Sequence, residues 1–351
     1  MSECEVDEDD GKEREHFATV IRAFDAYGPW AYNMIDRHRE NYAKLGEHHQ
    51  ELLGLDAKVS SMREAVQQNA RLLSMLVNPH RAHVGAVEEG LAQKVAQKTV
   101  KAADMDKLMS TLKQFVREWG AEGAAERAAA HNPLLEALQR ALPDGGVRGA
   151  RVLVPGAGLG RLAWEVAARG YQAQGNEFSY FMLLASNFVL NSLQAHGSVT
   201  VHPWVHQTCN VKCAADQVRG ITIPDVAPWS LPEAANLSVS AGDFLEVYRT
   251  QRQCFESVLT CFFIDTAHNL IEYLAAIRRL LTPGGAWVNL GPLCEHYLLP
   301  STFYLIPYTL YLIPYTLYLI PLYSRSLATQ WLSLGVAWRG VAWRGVAWRG
   351  V

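Results

Sequence analysis

From about His16 to Leu142, apolar residues recur at spacings of three and four. FATVIRAFDAYGPWAYNMIDRHRENYAKL, SSMREAVQQNARLLSMLV and MDKLMSTLKQFVREW contain few β-branched runs, and their spacing predicts amphipathic helices. Breaks are expected at Gly54, at Asn78-Pro79 and around Gly120–Gly123. At Pro143-Asp144-Gly145-Gly146 the rhythm changes to short apolar runs alternating with helical stretches. RVLVPGAG reads as a buried strand entering a glycine turn, GRLAWEVAARG as a helix closed by Gly170, YQAQGNE as a second strand and YFMLLASNFVLNSL as a second helix. SVSAGDF, FESVLTCFFID, the helix NLIEYLAAIRRLL and the strand PGGAWVNLG follow. Strand and helix alternating at this spacing imply a parallel sheet with right-handed crossovers. The fold class expected is α/β: a doubly wound sheet over 143–298, preceded by an all-helical subdomain over 16–142.

Two ends break the pattern. Residues 1–15 hold eight acids and two bases and read as a solvated, disordered arm. Residues 299–351 repeat a seven-residue unit over 304–321 and a five-residue unit over 335–351, and hold four Arg and no acid. Units this short are below the period of any folded solenoid. Tyr297–Ser324 is uncharged and long enough to span a membrane, but prolines at 300, 307, 314 and 321 disrupt helical hydrogen bonding, so no membrane contact is expected. The tail is assigned no function.

Composition narrows the class. The 351 residues carry a net charge of −3, which offers no general attraction to nucleic acid. Six irregularly spaced cysteines and an acidic N-terminus, unlike a secretory signal, favour a reducing compartment, cytosol or nucleus.

The chemistry concentrates at strand ends. Val154-Pro155-Gly156-Ala157-Gly158-Leu159-Gly160-Arg161 places three glycines where a strand turns into a helix, so that backbone can approach a ligand closely; the bland alternative is a turn that only packs strand on helix. A dinucleotide fingerprint needs glycine at the sixth position, where Arg161 stands, and a pyrophosphate site is disfavoured. Glu177 lies 21 residues beyond Gly156, at the predicted end of the second strand, placed to accept ribose hydroxyls. Asp243 and Phe244 of AGDF suit an adenine, one by hydrogen bonding and one by stacking, unless Asp243 merely caps a helix. Asp265 leaves an apolar strand over the expected switch point and is placed for chemistry; its alternative is to cap the helix beginning near Asn269. His202, His206, Cys209 and Cys213 form a competing zinc-type set with unusual spacing.

The G-x-G-x-G spacing resembles motif I of the class I S-adenosylmethionine-dependent methyltransferases. VPGAGLGRLAWEVA, QGNEFSYFMLLASNFVLN, AADQVRG, AGDF, CFFIDTAHN and PGGAWVNLGPL, with STLKQFVREW in the helical half, together resemble the carnosine N-methyltransferase family from about residue 12 to 297. The resemblance implies a methyltransferase Rossmann domain with an N-terminal helical extension, S-adenosyl-L-methionine as cofactor and anserine as product. By motif it implies cofactor contacts at Gln114, Arg117, Gly156, Gly158, Glu177, Asp243, Phe244 and Cys261, and substrate contacts at Asp265, the catalytic candidate, and at His296. A third substrate contact, a tyrosine near the family's C-terminus, has no counterpart, and the last two strands of the sheet are expected to be missing. The expected partner is a small molecule, carnosine or another histidine-containing peptide, with a homodimer as the one protein assembly considered and with no bound metal. Methylation of histidine in peptides or proteins, and an inactive scaffold, stand as alternatives.

Overall fold

The structure is a computed structural model that describes residues 3–81, 99–233, 235–292 and 317–321. Helix α1 (Glu3–Tyr42) is followed by α2 (Glu47–Leu53), α3 (Leu55–Val77), α4 (Ala102–Trp119) and α5 (Ala124–Ala141). The expected breaks fall in place: Gly54 caps α2 at φ 56°, and short 3-10 turns occupy Asn78–His80 and Ala121–Gly123. The acidic arm departs from expectation, because α1 is already helical from Glu3 and Glu13 accepts a hydrogen bond from the Tyr180 hydroxyl.

The alternating half gives β1 (Arg151–Pro155), α6 (Arg161–Ala167), β2 (Gln172–Glu177), α7 (Tyr180–Ser192), a small antiparallel pair β3 (Val199–Val201) and β4 (Ile221–Ile223), β5 (Asn236–Ala241), β6 (Phe255–Cys261), α8 (Leu270–Leu280) and β7 (Leu281–Leu290). The main sheet runs β5-β2-β1-β6-β7-β8, parallel throughout except for β8 (Leu317–Pro321), which pairs antiparallel with β7. Chain order reverses between β1 and β6, which opens a crevice at their carboxyl ends. The tail was expected to leave the sheet without its closing strands. Among the described residues it supplies a closing strand instead, the five-residue ladder Leu317–Pro321, which ends on a proline paired with Ala286.

Three apolar clusters hold the layers. Alternate residues of β1 divide between them: Val152 and Val154 pack with Leu134, Leu138, Leu162 and Val166 on one face, and Leu153 packs with Phe244, Tyr273 and Ile277 on the other. The third cluster joins α1, α3 and α4 to α7 through Phe24, Leu73, Phe115, Phe181 and Phe188. Helix α4 enters it through Met105, Leu108, Leu112, Phe115 and Trp119, a three-and-four stripe in which each large side chain stabilises by about 1.5–3 kcal/mol. This stripe carries the polar end of α4 to the glycine turn. Among the described residues no helix is long and apolar enough to cross a membrane.

Candidate active site

The site is assembled where β1, β2 and β6 end and α4 meets the β1–α6 turn. Gly156, Gly158 and Gly160 have φ of 67°, 57° and 85°, a region that only glycine enters without strain. A Cβ on Gly156 would lie 2.6 Å from the Phe263 ring, and one on Gly158 would collide with Glu118 Oε1. The turn is therefore as narrow as the motif implies.

Glu177 ends β2 with its carboxylate fixed. Oε2 accepts from the Gly158 N–H at 2.9 Å, and Oε1 accepts from Phe178 and Ser179 N–H at 2.9 and 2.8 Å. Burial pushes its carboxyl up, and these backbone donors work against that rise. A carboxylate has about four acceptor sites, so capacity for ribose hydroxyls remains. Beside it, Phe178 is 67% exposed, a large apolar ring open to solvent.

Helix α4 brings three polar side chains. Glu118 is buried, with Oε1 accepting from Leu159 N–H and from Gln114 Nε2 and Oε2 accepting from Arg161 N–H. Its carboxyl is raised by burial, with those donors opposing the rise. Gln114 is thereby fixed beside the turn, while Arg117 is exposed and pairs with Glu126. Cys261 at the end of β6 completes the group. Burial, then the neighbouring Glu118 charge, push its thiol up to about 12, with Arg117 opposing.

Asp265 sits in a 3-10 turn (Ile264–Thr266) just beyond β6, and its Oδ1 is buried with no hydrogen-bond partner. Capping does not explain it. Asn269 caps α8, accepting from Ile271 and Glu272 N–H at 3.1 and 3.4 Å. Between Cys261 and Asp265, Phe262 holds φ 50°, backbone strain of the kind found at functional turns.

The sequence profile described as carnosine N-methyltransferase matches residues 94–304. A Mus musculus protein named carnosine N-methyltransferase is 43% identical over 295 residues, covering 83% of this chain and 74% of that protein. The Schizosaccharomyces pombe protein of the same name is 38% identical over 299 residues, covering 82% and 79%. The chain belongs to the carnosine N-methyltransferase family. Its sheet is that of a class I methyltransferase, with an antiparallel strand beside the last parallel one. Among solved structures, the Haemonchus contortus phosphoethanolamine N-methyltransferase 2 in complex with S-adenosyl-L-methionine is 21% identical, covers 49% of this chain and 31% of that one, and has a TM-score of 0.29.

Of the family positions assigned from the sequence, Gln114, Arg117, Gly156, Gly158, Glu177 and Cys261 converge on the turn. Two others behave differently. Asp243 Oδ1 caps the short helix Phe244–Val247, accepting from Leu245 and Glu246 N–H. Phe244 is 2% exposed and packs on Tyr248, Phe263 and Tyr273, so its ring belongs to the core and does not offer the open face expected for an adenine. His296 lies outside the described residues.

The zinc-type set does not assemble. His202 engages Val218 O and Gln68 Oε1, His206 faces the Tyr27 hydroxyl at 2.9 Å, and Cys209 and Cys213 are exposed free thiols. Among the described residues no three His, Cys, Asp or Glu side chains come together as a metal site.

Sequence reasoning missed Glu118, although an acid three residues after Phe115 on the buried stripe of α4 was a legible signal. It also missed the ion cluster behind the turn. Arg161 reaches Glu165 and Asp225, Arg127 reaches Asp225, and His131 Nδ1 lies 3.0 Å from Glu165. Arg161 further stacks over Trp119 and Trp164, 4.9 and 5.3 Å from the ring centroids.

Proposed function

We propose that this chain transfers a methyl group from S-adenosyl-L-methionine to an imidazole nitrogen of carnosine, giving anserine. Family membership and the class I sheet support the reaction class. The buried, unpartnered Asp265 Oδ1 at the carboxyl end of β6 is the observation that carries the substrate assignment.

The residues present fit the cofactor: a turn that a Cβ would block at two glycines, a fixed acid ending β2, and an exposed aromatic ring beside that acid. Glu177 holds the ribose, Phe178 covers the base, and Gln114 and Arg117 face the amino-acid end, with Arg117 exchanging Glu126 for the ligand's carboxylate. When bound, S-adenosylmethionine supplies an electrophilic methyl group.

Free imidazole titrates near 6.5, so the substrate ring is mostly neutral at physiological pH. Asp265 accepts a hydrogen bond from the N–H of the non-reacting nitrogen. That bond would fix the tautomer, leave the lone pair of the other nitrogen free to take the methyl group, and stabilise the positive ring as the N–C bond forms and the methyl's bond to sulfur breaks to leave a neutral thioether. The excess proton then leaves the ring to solvent. His296, a substrate position in the family, steadies the dipeptide.

Incubating the purified chain with the cofactor and carnosine should yield a singly methylated dipeptide, with the methyl located on the ring by NMR. Methylation of histidine in a protein substrate but not of carnosine would transfer the assignment to the protein-histidine reading. Binding of the cofactor without any transfer would mark a scaffold.

A further inference from the structure

The glycine turn offers a ligand few hydrogen-bond donors. From Ala157 to Arg161, five consecutive backbone N–H groups already have acceptors inside the protein: Asn176 O, Glu177 Oε2, Glu118 Oε1, Ala157 O and Glu118 Oε2. Glu118 thus takes the N–H of Leu159 in the turn and that of Arg161, the first residue of α6. It is delivered by α4, from outside the sheet, and the same helix end fastens the turn again through Trp119 Nε1, which donates to Leu159 O at 3.2 Å. The adjacent Arg117 pairs with Glu126 and forms no hydrogen bond to Glu118. Three N–H donors converge on the two Glu118 oxygens, from Gln114, Leu159 and Arg161, and favour the ionised carboxylate against the burial that raises it, so that a negative charge is held beside the turn.

We propose that Glu118 is a positioning residue for methyl transfer: it locks the glycine turn in its narrow shape and sets a local charge that favours the sulfonium cofactor over its neutral thioether product. The proposal rests on the reading of the crevice as an S-adenosylmethionine site. Cofactor and product differ by one positive charge, and a carboxylate buried at the site would discriminate between them more strongly than one in water. The charge attracts the methyl donor and gives no such attraction to the neutral product.

Glu118→Gln keeps the shape but not the charge. Its amide oxygen can serve one backbone N–H, while its NH2 meets the other donor head-on. Titration calorimetry with S-adenosylmethionine and S-adenosylhomocysteine should show a loss of cofactor affinity of tenfold or more and a smaller loss for the product, so that the preference for the sulfonium shrinks by roughly tenfold. Glu118→Asp, which retains the charge on a shorter arm, should bind both ligands less tightly and keep the wild-type preference. Unchanged binding by Glu118→Gln, or an equal loss for both ligands, would overturn the proposal. Should Glu118→Gln fail to melt cooperatively, Glu118→Asp decides: a preference lost despite the retained charge overturns it, and a preserved one supports it. If wild-type protein binds neither ligand, the cofactor assignment fails instead.

Discussion

An acceptor buried without a donor costs a folded chain about 1–3 kcal/mol, and Asp265 Oδ1 is in that state. Asp265 lies beside an α8 N-terminus already capped by Asn269, so capping does not use it, and a substrate N–H is the donor proposed for it. Glu177 was legible because the distance from a glycine turn to the end of the next strand is set by one helix and one strand, and the 21-residue spacing fixed its place. The adenine role of Phe244 was misread because AGDF marks a strand end but not which way the ring turns; the ring joins the core against Phe263 and Tyr273, and the exposed ring is Phe178. Gly156 is the residue whose change is most selective. With φ 67° and the Phe263 ring 2.6 Å from a hypothetical Cβ, Gly156→Val should abolish cofactor binding by calorimetry and lower the melting temperature. Wild-type affinity in that variant would remove the turn from the site.

Helices α1, α3 and α4 were readable from their apolar spacing, and so were most of the strands. How α4 and α5 are fastened to the sheet was not, because the partners lie far apart in sequence: Arg161 and Asp225 are 64 residues apart, and Arg127 and Asp225 are 98 apart. Two arginines share one aspartate, so Asp225→Ala leaves the buried Arg127 without a carboxylate, while Arg161 keeps Glu165, and should destabilise the protein by about 3–5 kcal/mol in denaturant unfolding. A change below about 1 kcal/mol would mean that the cluster is incidental to docking. A second prediction belongs to the interface between α1, α3 and the turn after β3. There burial pulls His206 down to about 4, beside Tyr27 and Trp30. Between pH 6.5 and about 4 an unfolded chain takes up a proton at this histidine that the folded one refuses, so this contribution to stability is complete above pH 6.5 and is lost as pH falls through that window. Melting temperature should drop over that range, and His206→Gln should flatten the drop.

At the scale of the whole molecule, one core links the helical segment to the sheet domain through α7, so the cofactor crevice is walled by both halves of the chain. The sequence rhythm showed the two halves but could not show that they share this core, since Phe24, Leu73 and Phe181 meet only in three dimensions. The repeats predict a sheet without its last strands, yet Leu317–Pro321 pairs with β7, because a proline every seventh residue still allows a short ladder. Among the described residues this edge is closed by that one short strand. Replacing residues 299–351 with the C-terminal region of the mouse relative should sharpen the melting transition and raise carnosine turnover; equal melting and equal turnover would show the repeats to be a sufficient ending. The proposed reaction depends on Asp265 meeting the imidazole of carnosine within this crevice. The most direct test is to measure kcat for methyl transfer to carnosine and S-adenosylmethionine affinity side by side in wild type and Asp265→Asn. An asparagine can turn its NH2 toward the ring, favouring the wrong tautomer, so kcat should fall by about a hundredfold or more while cofactor affinity stays unchanged. Turnover in Asp265→Asn within a factor of about two of wild type would contradict it.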